Sequence, residues 1–257
     1  MQGAAGVVTL HLNQIDSKGT KKMSKKKSNK ITYKTYFNKR LKEMDFHGVK
    51  TYPLYIQVTY KRKSIFFKSY YFELLKKPQY LIKVLGLQPK GPEVSECISK
   101  EKEVIEFIIE QNKDDFSLEL FKSAYLYFSK DLCDVFQSRF IEYLHNFFWD
   151  EGNPSIGDLI LHGCKNVVVY EVIRSFKRAL RPELYQKLLE NSLYFSPPYL
   201  PVYEFMEAHR WPNKMLRVFE FENPETIKAF QSFLTKKYPT EQVNTILMQV
   251  AHWEKYL

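Results

Sequence analysis

The residues best suited to binding chemistry are lysines and arginines, whose ammonium and guanidinium groups pair with phosphate or carboxylate. Residues 1–90 contain 20 Lys and Arg against 4 Asp and Glu, a net charge of +16. Residues 91–257 carry a net charge of −6. A block this basic is typical of a protein that binds a polyanion, because each phosphate it neutralises releases condensed counterions. Nucleic acid and an anionic membrane surface both fit this charge.

The most concentrated positive charge lies in residues 18–42, a run of lysines separated by small polar residues. Lys25, Lys26, Lys27 and Lys30 are its candidate polyanion contacts. Such a run repels itself and stays solvated. We therefore expect residues 1–44 to form a basic flexible arm. An arm that binds nucleic acid and a tail that only keeps the chain in solution both fit this composition.

Residues for catalysis show no spacing that fixes a reaction. The carboxylate pairs Asp114-Asp115 and Asp150-Glu151 lie at helix ends, where acids commonly serve as caps. No glycine-rich phosphate loop is present, and the histidines lack metal-ligand spacing: His11, His47, His145, His162, His209 and His252. We expect no catalytic residue, metal or cofactor. Because residues distant in sequence meet in a fold, enzyme activity stays uncertain. A protein without enzyme activity is the favoured interpretation.

Cysteine usage bears on the cellular compartment. Cys97, Cys133 and Cys164 are odd in number, widely spaced and without a CxxC pair. This pattern is typical of a reducing environment. We expect a cytoplasmic protein.

A β-hairpin must position the next group of cations. Thr51 to Tyr60 alternates apolar and polar residues with the strand period of two, and Ser64 to Phe72 repeats the pattern. Between them lies the basic turn Lys61, Arg62 and Lys63. Because an isolated hairpin is marginal in water, a third strand is required, and Gln79 to Leu85 is the candidate. The turn lacks Asn-Gly or Asp-Gly, so the register of the hairpin is open.

Beyond Pro92 the apolar residues recur with helical spacing. Ser117 to Trp149 predicts one long helix or two consecutive ones, and Pro182 starts another. Phe195 to Pro201 predicts an extended loop because of its three prolines. Two closing helices follow Pro224 and Pro239. The expected fold is therefore α+β, with a small antiparallel sheet of about three strands at the N-terminus followed by a larger, mainly helical region.

One predicted helix, Asn166 to Leu180, carries a second basic face. Its cations, with the next one along the chain, are Arg174, Lys177, Arg178 and Arg181. Contact with phosphate and simple solvation are both open for this face. We expect four regions: the arm, a β-sheet domain at 45–90, a helical domain at 91–195 and a C-terminal helical segment at 196–257.

The hairpin sequence YPLYIQVTYKRKSIFFKS resembles the arm-type DNA-binding domain at the N-terminus of mobile-element tyrosine recombinases, the integrases. The resemblance covers residues 45–85. It extends through Ile98 to Phe121, where those integrases place a linking helix and an FSLELF-like segment. Their catalytic motifs are missing here: the chain has no His-x-x-Arg, and His252, Trp253 and Tyr256 are too closely spaced to end that motif.

The resemblance implies that a three-stranded sheet is laid into the major groove of DNA. It assigns base or groove contact to Gln57, Thr59 and Lys68 on the polar face, and phosphate contact to Lys61, Arg62 and Lys63. For the aromatic residues Tyr55, Phe66 and Tyr70, packing beneath a helix and stacking on unpaired bases are both open.

The expected function is that of a non-catalytic duplex-DNA-binding protein of a mobile element, related to the integrase arm-binding domain. One alternative is a helical protein–protein interaction module with a solubilising basic tail. Another is a degenerate recombinase-like or nuclease-like enzyme. DNA is the expected partner, with RNA or an anionic membrane as other polyanions, and the helical region is a candidate for binding a protein partner or a second copy of the chain.

Overall fold

The computed structural model describes residues 30–81, 90–210 and 215–257, which form an α+β fold. The strands are β1 (Thr32–Phe37), β2 (Met44–Phe46), β3 (Val49–Thr51), β4 (Leu54–Tyr60) and β5 (Lys63–Lys68). The helices are α1 (Tyr70–Leu75), α2 (Val94–Gln111), α3 (Leu118–Phe128), α4 (Leu132–Asp150), α5 (Pro154–Gly163), α6 (Val169–Ala179), α7 (Pro182–Phe195), α8 (Tyr199–Arg210), α9 (Val218–Phe221), α10 (Pro224–Thr235) and α11 (Thr240–Ala251). Short 3₁₀ helices cover Pro78–Tyr80, Cys164–Asn166 and Trp253–Tyr256. The predicted fold class is confirmed.

The main sheet is antiparallel, with strand order β1-β4-β5. The hairpin of β4 and β5 is confirmed, and its register runs from Tyr55 opposite Lys68 to Tyr60 opposite Lys63. Of the predicted third strand Gln79 to Leu85, Gln79 and Tyr80 lie in a 3₁₀ helix, and residues 82–89 lie outside the described residues. The third strand of the described sheet is β1, which lies in the segment expected to be a flexible arm. Threonine and aromatic side chains in β1 favour a strand and outweigh its basic surroundings.

Strand β5 is shorter than predicted because Ser69 ends it. The Ser69 side chain accepts a hydrogen bond from the Phe72 backbone N–H at 3.0 Å and so caps the start of α1. Tyr70 to Phe72 therefore belong to a helix rather than to a strand. The change of direction brings α1 under the sheet.

A first hydrophobic core lies beneath one face of the sheet. Leu54, Ile56 and Val58 of β4 are buried against α1, α2 and α3, with Phe72 and Phe121 among the largest fully buried side chains. Helices α2 and α3 therefore pack with the sheet, although both lie beyond residue 90. The apolar alternation of β4 requires this arrangement, because one face of the strand must leave water.

A second core is built around α4, whose buried side chains include Phe136, Phe140 and Leu144. Helices α5 to α8, α10 and α11 contribute to the same core. Of the two alternatives predicted for residues 117–149, two consecutive helices is confirmed, and they are separated at Ser129 to Asp131. The predicted loop at Phe195 to Pro201 is confined to residues 196–198, because α7 extends to Phe195 and α8 starts at Tyr199 and contains Pro201. Proline is tolerated there because the first turn of a helix leaves its N–H groups without helical partners.

Asp131 links the two cores. Its carboxylate accepts hydrogen bonds from Tyr80 Oη at 3.0 Å and from the Leu216 N–H at 2.9 Å, and its own N–H donates to Tyr70 Oη. Burial raises the pKa of Asp131 to about 7. A single polar residue thus joins α1, the start of α4 and the chain before α9. Within the described residues, no helix is both long enough and apolar enough to cross a membrane.

Candidate nucleic-acid interface

The face of the main sheet opposite its core is open. Strand pairing aligns its side chains in three rows: Thr32, Thr59 and Ser64; Lys34, Gln57 and Phe66; Tyr36, Tyr55 and Lys68. We call these nine residues the outer face. None of them is buried, whereas their neighbours Ile56 and Val58 are fully enclosed. The polar positions Gln57, Thr59 and Lys68 share this face, as the alternation of β4 and β5 predicts.

The middle of the outer face is a small hydrogen-bonded cluster. Gln57 Nε2 donates to Ser64 Oγ at 3.2 Å and lies 3.4 Å from Thr59 Oγ1, and the two hydroxyl oxygens are 2.7 Å apart. These hydrogen bonds hold the Gln57 side-chain amide through its nitrogen atom and so set its orientation. Its Oε1 has no partner among the described residues, so an acceptor is left for an external donor.

Aromatic rings flank this cluster. The rings of Tyr36 and Tyr55 lie 6.1 Å apart across β1 and β4, and Lys34 Nζ is 5.7 Å from the Tyr36 ring centroid. Phe66, opposite Gln57, is 58% exposed. Tyr55 and Phe66 therefore do not pack beneath a helix. Tyr70 is half-buried and packs against the first core, and its backbone N–H donates to Tyr125 Oη at 3.0 Å.

The hairpin tip consists of Lys61, Arg62 and Lys63. Lys61 and Arg62 form the two-residue turn, with φ of 48° and 65°. Left-handed conformation at both central positions is the type I′ geometry, which favours Asn-Gly because most other side chains are strained there. All three side chains of the tip are exposed. The chain therefore holds two long cations where the backbone disfavours them.

Most cations around the sheet have no acidic partner. Residues 30–81 contain 12 Lys and Arg against 3 Asp and Glu. Lys76 pairs with Glu73 at 2.5 Å and Lys77 with Asp134 at 2.7 Å. The other ten are exposed and pair with no carboxylate in the described part of the chain: Lys30, Lys34, Lys39, Arg40, Lys42, Lys50, Lys61, Arg62, Lys63 and Lys68. Lys25, Lys26 and Lys27 lie outside the described residues.

The second basic face is on α6, which belongs to the helical core. Arg174 is bound by Glu207 at 2.7 Å and lies 3.8 Å from Glu171. Lys177, Arg178 and Arg181 are exposed. One of the four predicted cations is thus already neutralised by the protein.

A buried carboxylate that the sequence analysis did not single out supports the site. Glu101 of α2 accepts hydrogen bonds from Ser69 Oγ at 2.6 Å, the Tyr71 N–H at 3.1 Å and Tyr125 Oη at 2.8 Å. Burial raises the pKa of Glu101 to about 7, although these hydrogen bonds oppose the rise. Glu101 thereby fixes the point where β5 passes into α1. The sequence signal for Glu101 was its position in the helical repeat, since it lies four residues after Cys97 on the buried stripe of α2.

No group of three or more His, Cys, Asp or Glu residues that could hold a metal ion occurs in the ranges 30–81, 90–210 and 215–257. Comparisons of the chain with protein-family models, with curated proteins and with solved structures find no match. The geometry of the outer face and the hairpin tip is therefore the basis for a proposed function.

Proposed function

We propose that this chain is a non-catalytic protein that binds duplex DNA through the outer face and the hairpin tip, and that it is related to the integrase arm-binding domain of a mobile element. The observation that carries the proposal is the turn of Lys61 and Arg62. Strained backbone conformations persist where the surrounding structure imposes them, and they cluster at binding sites. Asn-Gly would relieve this strain but would remove both positive charges.

The dimensions of the sheet support binding in the major groove. Three strands about 4.8 Å apart span about 10 Å, and the major groove of B-DNA is about 12 Å wide. The outer face would enter the groove, with Lys34 and Lys68 on the two edge strands. Edge cations would then lie near the phosphates that border the groove, while Gln57 and Thr59 lie between them.

In this mechanism the arm residues Lys25, Lys26, Lys27 and Lys30 capture the polyanion without regard to sequence. Insertion of the outer face follows and fixes the orientation of the protein. Phosphate contacts supply most of the affinity and make it depend on salt. Contacts from the outer face supply the discrimination among sites.

A turn variant separates binding from folding. Replacing Lys61 with Asn and Arg62 with Gly favours the type I′ turn and removes two charges. We expect the free energy of unfolding to rise by about 1 kcal/mol. Affinity for a fluorescein-labelled 24-base-pair duplex should fall roughly tenfold, and the slope of log affinity against log salt should become shallower by about 2.

The matched control carries Lys177→Gln and Arg178→Gln on α6, which removes the same charge from the other basic face. Its salt slope should stay that of the unmodified chain. A turn variant that is more stable and binds the duplex with unchanged affinity and slope would contradict the proposal. Stronger binding to duplex RNA, to single strands or to vesicles containing phosphatidylserine would contradict it as well. Charge reversal at Lys61, Arg62 and Lys63 should weaken duplex binding further.

A further inference from the structure

The outer face presents two groups of different chemistry side by side. Phe66 and Gln57 are directly opposite each other on β5 and β4. Phe66 offers an exposed apolar ring, and Gln57 offers a carbonyl oxygen whose amide nitrogen is already held by Ser64. A partner that satisfies both must bring an apolar group and a hydrogen-bond donor close to each other.

An A·T base pair has this pair of groups in the major groove. Adenine presents its N6 amino donor there, and thymine presents its C5 methyl group. A G·C pair presents the cytosine N4 donor but lacks the methyl group. The combination of Phe66 and Gln57 therefore distinguishes A·T from G·C pairs.

Stacking on unpaired bases fits the outer face less well. A stacking surface needs several accessible rings, one for each successive base. Among the three rings of the outer face, Tyr36 and Tyr55 lie 6.1 Å apart and are partly buried, whereas Phe66 is exposed. A lone exposed ring beside an oriented amide suits an edge contact in a groove better than a run of stacked bases.

We propose that the outer face reads A·T base pairs in the major groove, with Phe66 against the thymine methyl group and Gln57 Oε1 accepting from the adenine amino group. This inference rests on the proposed function, because it requires duplex binding. It assigns major-groove discrimination to Phe66, for which the sequence left open packing beneath a helix or stacking on unpaired bases.

Four alternating 24-base-pair duplexes test it by fluorescence anisotropy with the full chain. Each duplex is built from one kind of base pair: adenine with thymine, adenine with uracil, hypoxanthine with cytosine, or hypoxanthine with 5-methylcytosine. The thymine and uracil duplexes differ by the methyl group alone. Hypoxanthine pairs keep the minor groove of A·T pairs, so a difference from them reports the major groove.

The methyl group should strengthen binding about fourfold for each Phe66 contact, in the thymine duplex and in the 5-methylcytosine duplex alike. Phe66→Ala should bind thymine and uracil duplexes equally, and Phe66→Leu should keep part of the preference. Phe195→Ala, which removes an exposed ring from the helical region, should keep all of it.

Gln57→Leu tests the other half of the inference. The unmodified chain should prefer the thymine duplex to the 5-methylcytosine duplex about fivefold. Both pairs carry a donor and a methyl group, but hypoxanthine has an acceptor where adenine has its amino group, and the N4 donor of 5-methylcytosine lies one position nearer the methyl group. Gln57→Leu should lose this preference and keep the methyl effect.

The outcomes separate the two proposals. Duplex binding that is equal for thymine and uracil overturns the A·T inference and leaves the proposed function standing. No binding to any of the duplexes overturns the proposed function itself. Tighter binding to a 24-residue oligothymidine single strand than to the thymine duplex overturns both in favour of stacking.

Discussion

Lysine and arginine have different roles around the sheet and in the helical region. In the helical region many lysines and arginines are neutralised by the protein's own acids, as in Lys187 with Glu151 at 2.6 Å and Lys237 with Glu204 at 2.5 Å. Around the sheet, ten exposed cations lack such a partner among the described residues. A cation paired within the fold contributes to structure, whereas an exposed, unpaired one is available to an external anion. The average charge of the chain hides this division.

The largest effect should come from Arg217, the most buried cation described. It is 4% exposed, and its Nη2 pairs with Glu103 Oε2 at 2.5 Å and Glu220 Oε1 at 3.0 Å. Arg217→Met leaves the partly buried Glu220 with Arg210, at 3.1 Å, in place of two cationic partners, and should lower the free energy of unfolding by about 3 to 5 kcal/mol. Urea denaturation followed by circular dichroism measures this. Arg139→Met, which breaks an exposed pair with Glu142, is the control and should cost less than about 1 kcal/mol.

Glu220 provides a second readout of the same change. Burial alone would raise the pKa of Glu220, but the hydrogen bonds and charge of Arg217 lower it below its ordinary value. In Arg217→Met that pKa should rise. If the unfolding free energy of Arg217→Met stayed within about 1 kcal/mol of that of the unmodified chain, the buried pair and the exposed pair would contribute equally to stability. The contrast between structural and available cations would then fail.

The next largest effect concerns pH and the buried acid beneath the sheet. The pKa of Glu101 is about 7 in the folded chain, above the ordinary 4.5. Between pH 4.5 and 7 the folded state therefore binds more protons than the unfolded state, and stability falls as pH rises through this window. The contribution is about 3 kcal/mol, and Glu101→Gln should remove it.

Urea denaturation of both proteins at several pH values in this window isolates the contribution of Glu101. The unmodified chain should lose stability relative to Glu101→Gln as pH rises. A constant difference between the two proteins would mean that Glu101 titrates like an exposed acid. Burial also raises the pKa of Asp131 to about 7. Asp131 is present in both proteins, so its contribution cancels in the difference between their free energies of unfolding.

The sequence predicts the elements that depend on local pattern. The β4–β5 hairpin and helices such as α7 follow from periods of two and 3.6 and from Pro182 at a helix start. Strand β1 was missed because its pairing is non-local. Lys34 lies opposite Gln57, and no residue near β1 in the sequence indicates this register. Helix α8 was missed because Pro201 was taken as a breaker, although it lies in a first turn.

The candidate site divides in the same way. Gln57, Thr59 and Lys68 share a face because strand pleating fixes it, so the sequence suffices. Lys34 and Tyr36 join them only through β1. The left-handed turn was not foreseen either, since Lys61 and Arg62 lack the preference for it that glycine and asparagine have.

The smallest effect tests the comparison at single lysines. Lys187→Glu replaces the ammonium group that pairs with Glu151 at 2.6 Å by a negative charge and should lower the free energy of unfolding by about 1 kcal/mol at low salt. Lys68→Glu should change it by less than about 0.5 kcal/mol, because Lys68 has no described acidic partner and its surroundings are positive. The same two variants should reverse order in duplex affinity, with Lys68→Glu weakening binding and Lys187→Glu leaving it unchanged. If both variants lost stability equally and bound equally, charge in the two regions would have the same role, and the division between structural and available cations would fail.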